Sequence, residues 1–171
     1  MKVKFKKLLS GARLPEKATK GAAAYDLYVA EDVIIRPGRS IVPLGFAMEM
    51  PEGVQALIDP RSGFSSKGME GHRILENIIR FGEKLEHMDT GDFISLKPYR
   101  FNCDVIEGKI DSDYRGGVGV IVHNHDMSFF LKKGTRIAQM TFSKVESAQW
   151  EEVEELSGTD RDGGFGSTGT K

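Results

Sequence analysis

The 171-residue chain has a single cysteine, Cys103, so no disulfide can form within it and a reducing compartment is expected. No apolar run approaches the ~18 residues that a membrane-spanning helix needs. The start, Met1-Lys2-Val3-Lys4-Phe5-Lys6-Lys7, alternates lysine with apolar residues and leads into no signal-peptide core, so a first strand of a soluble, cytoplasmic protein is expected (host cytoplasm if the source is viral). Neither charge is in surplus: 24 Lys+Arg against 25 Asp+Glu leave a net charge of -1, which excludes a whole-chain attraction to nucleic acid or to an anionic membrane. Any anion must be gripped locally. Internal repeats, Cys/His metal-ligand spacing and a Gly-x4-Gly-Lys-Ser/Thr phosphate loop are all missing.

What is present suits one globular core, with 39% hydrophobic and 29% charged residues. Short β-branched or alternating runs recur at 3–9, 24–29, 33–36, 40–42, 55–58, 118–123, 129–132 and 136–142. Turn signals separate them: Arg36-Pro37-Gly38, Met50-Pro51-Glu52-Gly53, Arg115-Gly116-Gly117 and Lys132-Lys133-Gly134. The pattern predicts an all-β sandwich, jelly roll or barrel. One stretch departs from it. Ile74, Ile78, Phe81 and Leu85 follow at intervals of four, three and four, which predicts a short amphipathic helix over 73–85, weakened by Gly82. Asp89-Thr90-Gly91-Asp92 then signals a turn before an extended 93–96, so the region reads as an inserted subdomain. Further on, Trp150-Glu151-Glu152-Val153-Glu154-Glu155-Leu156 reads as a solvated connection pinned by Trp150 and Val153.

Three segments carry groups suited to phosphate chemistry. In Gly108-Lys109-Ile110-Asp111-Ser112-Asp113-Tyr114-Arg115-Gly116-Gly117, strand-like alternation would put Asp111 and Asp113 on one side, where either carboxylate can orient a water. An Asp-rich hairpin with no chemical role fits the same residues. In Asp59-Pro60-Arg61-Ser62-Gly63-Phe64-Ser65-Ser66-Lys67, Arg61 can fork onto phosphate oxygens, Ser62 can donate and Gly63 permits close backbone approach, although an ordinary polar loop is the alternative. The end, Arg161-Asp162-Gly163-Gly164-Phe165-Gly166-Ser167-Thr168-Gly169, joins turning N–H groups, two hydroxyls and a guanidinium to the flat face of Phe165. Phosphates plus a ring suggest a nucleotide, while the same composition also describes an unstructured terminus.

With Ala22-Ala23-Ala24-Tyr25-Asp26-Leu27 and Gly134-Thr135-Arg136-Ile137-Ala138-Gln139-Met140 added, the set resembles, in order, the five motifs of the trimeric dUTP pyrophosphatase (dUTPase) family. The resemblance implies a jelly-roll-like (β-clip) domain over 1–157, an insertion at about 69–103 and a flexible arm over 158–171. It also implies a homotrimer whose active sites draw on all three subunits, and hydrolysis of dUTP to dUMP and pyrophosphate with Mg2+ held mainly by the triphosphate and water.

By position, Asp111 matches the family's carboxylate that orients and deprotonates the attacking water, and Tyr114 matches the aromatic that crowds out a 2′-hydroxyl. Main-chain groups of the preceding hairpin, about Val105 to Ile110 and including Gly108 and Lys109, match the uracil reader; where some members carry asparagine this chain has Val105. Arg61, Ser62 and Gly63 match the phosphate-binding second motif, and Gln139 matches the fourth motif's glutamine near the phosphates. Asp26 matches an acid with an indirect role, either orienting Mg2+-bound water or holding Arg61. In the arm, Phe165 matches the aromatic that stacks on uracil, Gly166, Ser167 and Thr168 the phosphate cradle, and Arg161 a γ-phosphate contact, here four residues before Phe165 where many members have five. His123 and His125, on one strand face, are expected to be structural. Two other readings stay open: a dCTP deaminase of the same fold, and a nucleotide-gated interaction protein whose insertion contacts an unknown partner. No membrane or direct nucleic-acid binding is expected.

Overall fold

The computed structural model describes residues 1–75, 85–87, 93–95 and 97–159. β1 (Lys4–Lys7), β2 (Tyr25–Tyr28), β3 (Val33–Ile35), β4 (Gly38–Glu49) and β5 (Val54–Asp59) lead into one short helix, α1 (Ser62–Lys67). β6 (Met69–Leu75), β7 (Leu85–His87), β8 (Phe93–Ser95) and β9 (Tyr99–Phe101) follow, then β10 (Cys103–Ile106), β11 (Gly108–Ile110), β12 (Gly117–Asn124), β13 (Phe129–Leu131) and β14 (Arg136–Lys144). Every run predicted from alternation contains a strand or lies within one. The strands form three antiparallel sheets, ordered β1-β4-β12-β10, β11-β5-β14-β2 and β3-β13-β6-β8-β7, with β9 also paired to β6.

The period-two code is plainest in β12, where Val118, Val120, Val122 and Asn124 are buried while the residues between them are at least partly open. Each buried valine removes apolar surface worth about 1.5–3 kcal/mol. They meet Leu44, Phe46, Leu27 and Met140 in the core shared by the sheets. Asn124 is a polar exception made good by its partners: its amide donates to the Ile35 and Met127 carbonyls, and its oxygen accepts from the Asp126 N–H. The His123 and His125 rings lie 4.3 Å apart, with His125 Nε2 2.9 Å from an Asp104 oxygen.

The helix expected over 73–85 is not formed at its described ends. Arg73, Ile74 and Leu75 complete β6, and Leu85 opens β7; residues 76–84 lie outside the described set. Ile74 sits opposite the buried Ile94 of β8, so its apolar character serves cross-strand pairing rather than a helix stripe. The region expected to be an insertion is tied to the core, because Phe101 of β9 stacks on Phe129 at 4.3 Å and 10°. Trp150 and Val153 do not pin the connection on this protomer: they are 96% and 50% exposed. Among the described residues no helix is long and apolar enough to cross a membrane.

The segment expected to be a uracil-reading hairpin takes a different course. β10 pairs with β12 in the first sheet, whereas β11 pairs with β5 in the second, so the chain changes sheets at Glu107. Burial explains the switch. Cys103 and Val105 anchor β10 in the core on one side, and Ile110 anchors β11 on the other.

Candidate active site

Between β11 and β12, which belong to different sheets, a cavity of about 260 Å³ opens. Its walls include Ile106, Gly108, Lys109 and Ile110 on one side, Gly117, Val118 and Gly119 on the other, and Asp111 and Tyr114. β11 is the outermost strand of its sheet, and β12 pairs with β10 only between Ile121 and Asn124. The facing backbone edges of 108–110 and 117–120 therefore have no ladder partner among the described residues. Unpaired N–H and C=O groups on a strand edge hold a hydrogen-bonding ligand of matching pattern. A flat heterocycle such as a base fits that description.

Asp111 follows β11 directly and is exposed, and its carboxylate has no hydrogen-bond or ion-pair partner among the described residues. Its carbonyl accepts from the Tyr114 N–H at 3.1 Å, so residues 111–114 form a turn and the strand-like alternation expected of Asp111 and Asp113 does not persist. The Tyr114 hydroxyl donates to the Gly117 carbonyl at 3.1 Å, laying the ring across the turn. Gly116 makes that possible, since a Cβ there would come within 2.3 Å of the Tyr114 oxygen. Arg115 braces the turn by donating to the Ser112 and Tyr114 carbonyls. A fixed ring thus stands beside a carboxylate free to hold water.

A second cavity, about 320 Å³ and polar, is lined by Arg61, Gly63, Phe64, Glu70, Arg100, Thr135 and Arg136. Asp26 organises it. Arg61 Nε donates to Asp26 Oδ1 at 3.1 Å, and an Arg136 terminal nitrogen donates to Oδ2 at 3.2 Å. The Asp26 side chain is only 12% exposed, so these charge-assisted bonds contribute about 2 kcal/mol each against its desolvation. Of the two roles open to Asp26, the ion pair with Arg61 is present. Arg61 is also the N-cap of α1 and lies over the Phe64 ring, its guanidinium carbon 5.2 Å from the centroid. Ser62 and Gly63 occupy the first turn of α1, where backbone N–H groups lack intrahelical acceptors.

Arg136 lines this cavity although the sequence pattern does not single it out within the quoted 134–140 stretch. Strict alternation would put it on the opposite face from Gln139. A register shift between Arg136 and Ala138 turns it towards Asp26, while Gln139 stands in register between Asp26 and Asp59. Gln139 and Ser62 flank this cavity without lining it. The Val105 side chain is buried in the core and lines neither cavity, which agrees with a reader built from main-chain groups, and Ile106 reaches the first cavity. Arg161, Phe165, Gly166, Ser167 and Thr168 lie outside the described residues.

The two cavities share no residue. Ile110 is level with Ala56 near the start of β5, whereas Arg61 comes two residues after its end. At about 3.3 Å per residue, Asp111 and Arg61 are separated by about 20 Å along the strand. The two side chains therefore line different cavities of the protomer.

The dUTPase family profile matches residues 11–78 and 100–169, leaving 79–99 between the matched parts. A deoxyuridine 5'-triphosphate nucleotidohydrolase of Nautilia profundicola is 40% identical over 172 residues, covering 99% of both chains. Its Oryza sativa counterpart is 38% identical, covering 98% of this chain and 80% of the plant protein. The Monkeypox virus counterpart is 36% identical, covering 99% and 91%. Among solved structures, a Staphylococcus bacteriophage 80alpha dUTPase mutant with dUpNHpp superposes with a TM-score of 0.74 at 25% identity, covering 99% of each chain.

Proposed function

Because the chain belongs to the dUTPase family, we propose that it binds dUTP between protomers and hydrolyses it to dUMP and pyrophosphate. It is a dUTP diphosphatase, which keeps uracil out of DNA and yields dUMP for dTMP synthesis. The observation that carries the site assignment is the Asp111 carboxylate, without a partner among the described residues, beside the fixed Tyr114 ring at the mouth of a gap between strand edges unpaired among those residues. The relatives reported above are all nucleotidohydrolases, and no observation favours a deaminase.

Uracil enters the gap and pairs with the free edges of 108–110 and 117–119. The Tyr114 ring closes on the deoxyribose, so a 2′-hydroxyl has no room. A water held by Asp111 attacks the α-phosphorus in line and gives its proton to the carboxylate. The bond from the α-phosphorus to the bridging oxygen breaks, and pyrophosphate leaves with its electron pair. Much of the barrier lowering comes from donors preplaced around phosphoryl oxygens, here Arg61, Arg136 and the first-turn N–H groups of α1, with Ser62 and Gln139 beside them.

The substrate is the Mg2+ complex of dUTP, with the ion held by phosphate oxygens and water. That form suits a chain whose described residues include no cluster of three or more His, Cys, Asp or Glu arranged for a metal. Each Asp26 oxygen accepts from one guanidinium, and the lone pair left on each oxygen can still orient a water bound to the Mg2+ of the substrate.

The assembly is a homotrimer in which the phosphate cavity of one protomer meets the nucleoside cavity of another. Two observations support it: the separation of Asp111 from Arg61, and the exposed Trp150, Val153 and Leu156, whose apolar surface calls for cover by another copy. The arm of a third protomer brings Phe165 onto uracil, Gly166, Ser167 and Thr168 onto the phosphates and Arg161 towards the γ-phosphate. Cytoplasmic nucleotide pools are its place of action. The test is a panel of dUTP, UTP, dTTP and dCTP with Mg2+: pyrophosphate release from dUTP alone is expected, and ammonia release from dCTP would contradict the assignment.

A further inference from the structure

The two strands that flank the unmatched 79–99 segment reach the second cavity. Glu70 of β6 and Arg100 of β9 stand opposite each other in the ladder, and an Arg100 terminal nitrogen lies 2.8 Å from Glu70 Oε2. Both side chains line the cavity together with Arg61 and Arg136. We propose that Arg100 is a third polyphosphate-binding guanidinium of this site, restrained by Glu70 until an anion arrives. The proposal rests on reading this cavity as the phosphate end of the site.

The backbone holds Arg100 in place. Its other terminal nitrogen donates to the Gly68 carbonyl at 3.1 Å, and Gly68 caps α1, the helix that presents Ser62 and Gly63. Gly68 has φ 79° and would place a Cβ 2.4 Å from the Phe101 oxygen. Only glycine lets β9 lie this close to the end of α1. Phe101, next to Arg100, is fixed in turn by its stack on Phe129. The guanidinium is therefore attached to a rigid frame while remaining 45% exposed.

Charge points to the ligand. Arg61 and Arg136 share the single Asp26 carboxylate and Arg100 pairs with Glu70, so three guanidinium groups face two acids and one positive charge is left in surplus for an anion. Arg100 meets one acid, Glu70, and one neutral carbonyl. A guanidinium has five N–H donors, and the two bonds to Glu70 and Gly68 leave three for phosphate oxygens. As a structural device the pair has little value, because half-exposed ion pairs contribute roughly 0–1 kcal/mol. Glu70, facing the same cavity, opposes an incoming anion. The two residues should thus act on binding with opposite signs, which a purely structural pair would not do.

The experiment measures binding of pyrophosphate and of dUMP by titration calorimetry in the full-length assembly, for Arg100→Ala, Arg100→Lys, Glu70→Gln and Arg61→Ala. Arg100→Ala should weaken pyrophosphate about tenfold, the loss expected for one charge-assisted contact, and leave dUMP binding unchanged. Its KM for dUTP should rise while kcat holds. Arg100→Lys should fall between, and Glu70→Gln should tighten pyrophosphate. Full pyrophosphate affinity in Arg100→Ala, with affinity lost in Arg61→Ala, overturns the role of Arg100. Full affinity in Arg61→Ala instead overturns the reading of the cavity itself. If Arg100→Ala does not fold, Glu70→Gln decides: tighter pyrophosphate binding supports the proposal, and unchanged or weaker binding overturns it.

Discussion

Asp111 and Arg61 stand at opposite ends of β5, the first beside its entry at Gln55 and the second two residues beyond its exit at Asp59. The two side chains are thus directed into separate cavities. On the reading proposed above, their cooperation draws on a second copy of the chain, which makes the assembly part of the chemistry.

Mixing two inactive variants tests this relationship. Asp111→Asn and Arg61→Ala should each be nearly inactive alone. Trimers reassembled from an equal mixture should recover about a quarter of the wild-type rate, because random assembly restores an intact carboxylate beside an intact arginine at that frequency. No recovery in verified mixed trimers would mean that both residues serve the same protomer's site.

Asp26→Asn should act mainly on substrate affinity. Losing the carboxylate frees two guanidinium groups, so KM should rise about tenfold, as expected for about 1.4 kcal/mol of lost positioning, with a small drop in melting temperature. A collapse of kcat at unchanged KM would instead give Asp26 a direct part in the chemical step.

Sugar selection should follow the Tyr114 ring. Gly116→Ala would push a methyl group into that ring, and Tyr114→Ala would remove it. Both variants should lower the preference for dUTP over UTP, measured as the ratio of kcat/KM values. Tyr114→Phe loses only the bond to Gly117, about 1 kcal/mol, and should retain most of the preference.

Cys103 gives a pH prediction. Burial pushes its thiol up to about 12 from an ordinary 9.0, with Asp104 and Asp126 adding to the effect. A raised folded-state value means the folded chain keeps its proton while the unfolded chain loses it. This contribution to stability is intact below pH 9 and declines as pH rises from about 9 towards 12. The native thiol should resist alkylation at pH 8.5 and react once the chain is unfolded by denaturant.

The strands were readable because burial on one face writes itself into alternation, as in Val118, Val120 and Val122. Asp111, Tyr114 and Arg61 were readable because each lies in a compact stretch of recognisable residues. α1 was not: it spans six residues, contains Gly63, Ser65 and Ser66, and buries only Phe64. Ile74 misled, since its spacing to Ile78 mimics a helix while its partner is Ile94 across a ladder. Arg136 depended on a local register shift and on Asp26, 110 residues away, neither of which leaves a mark in local spacing. The parting of β10 and β11 at Glu107 likewise arises from tertiary burial.

The most direct measurement pairs dUTP binding with pyrophosphate release for Asp111→Asn in the presence of Mg2+. The variant should fold, assemble and bind dUTP with near wild-type affinity while losing nearly all turnover, because only the group that takes the water's proton has been neutralised. Turnover close to wild type would remove Asp111 from the reaction and contradict the account at its centre.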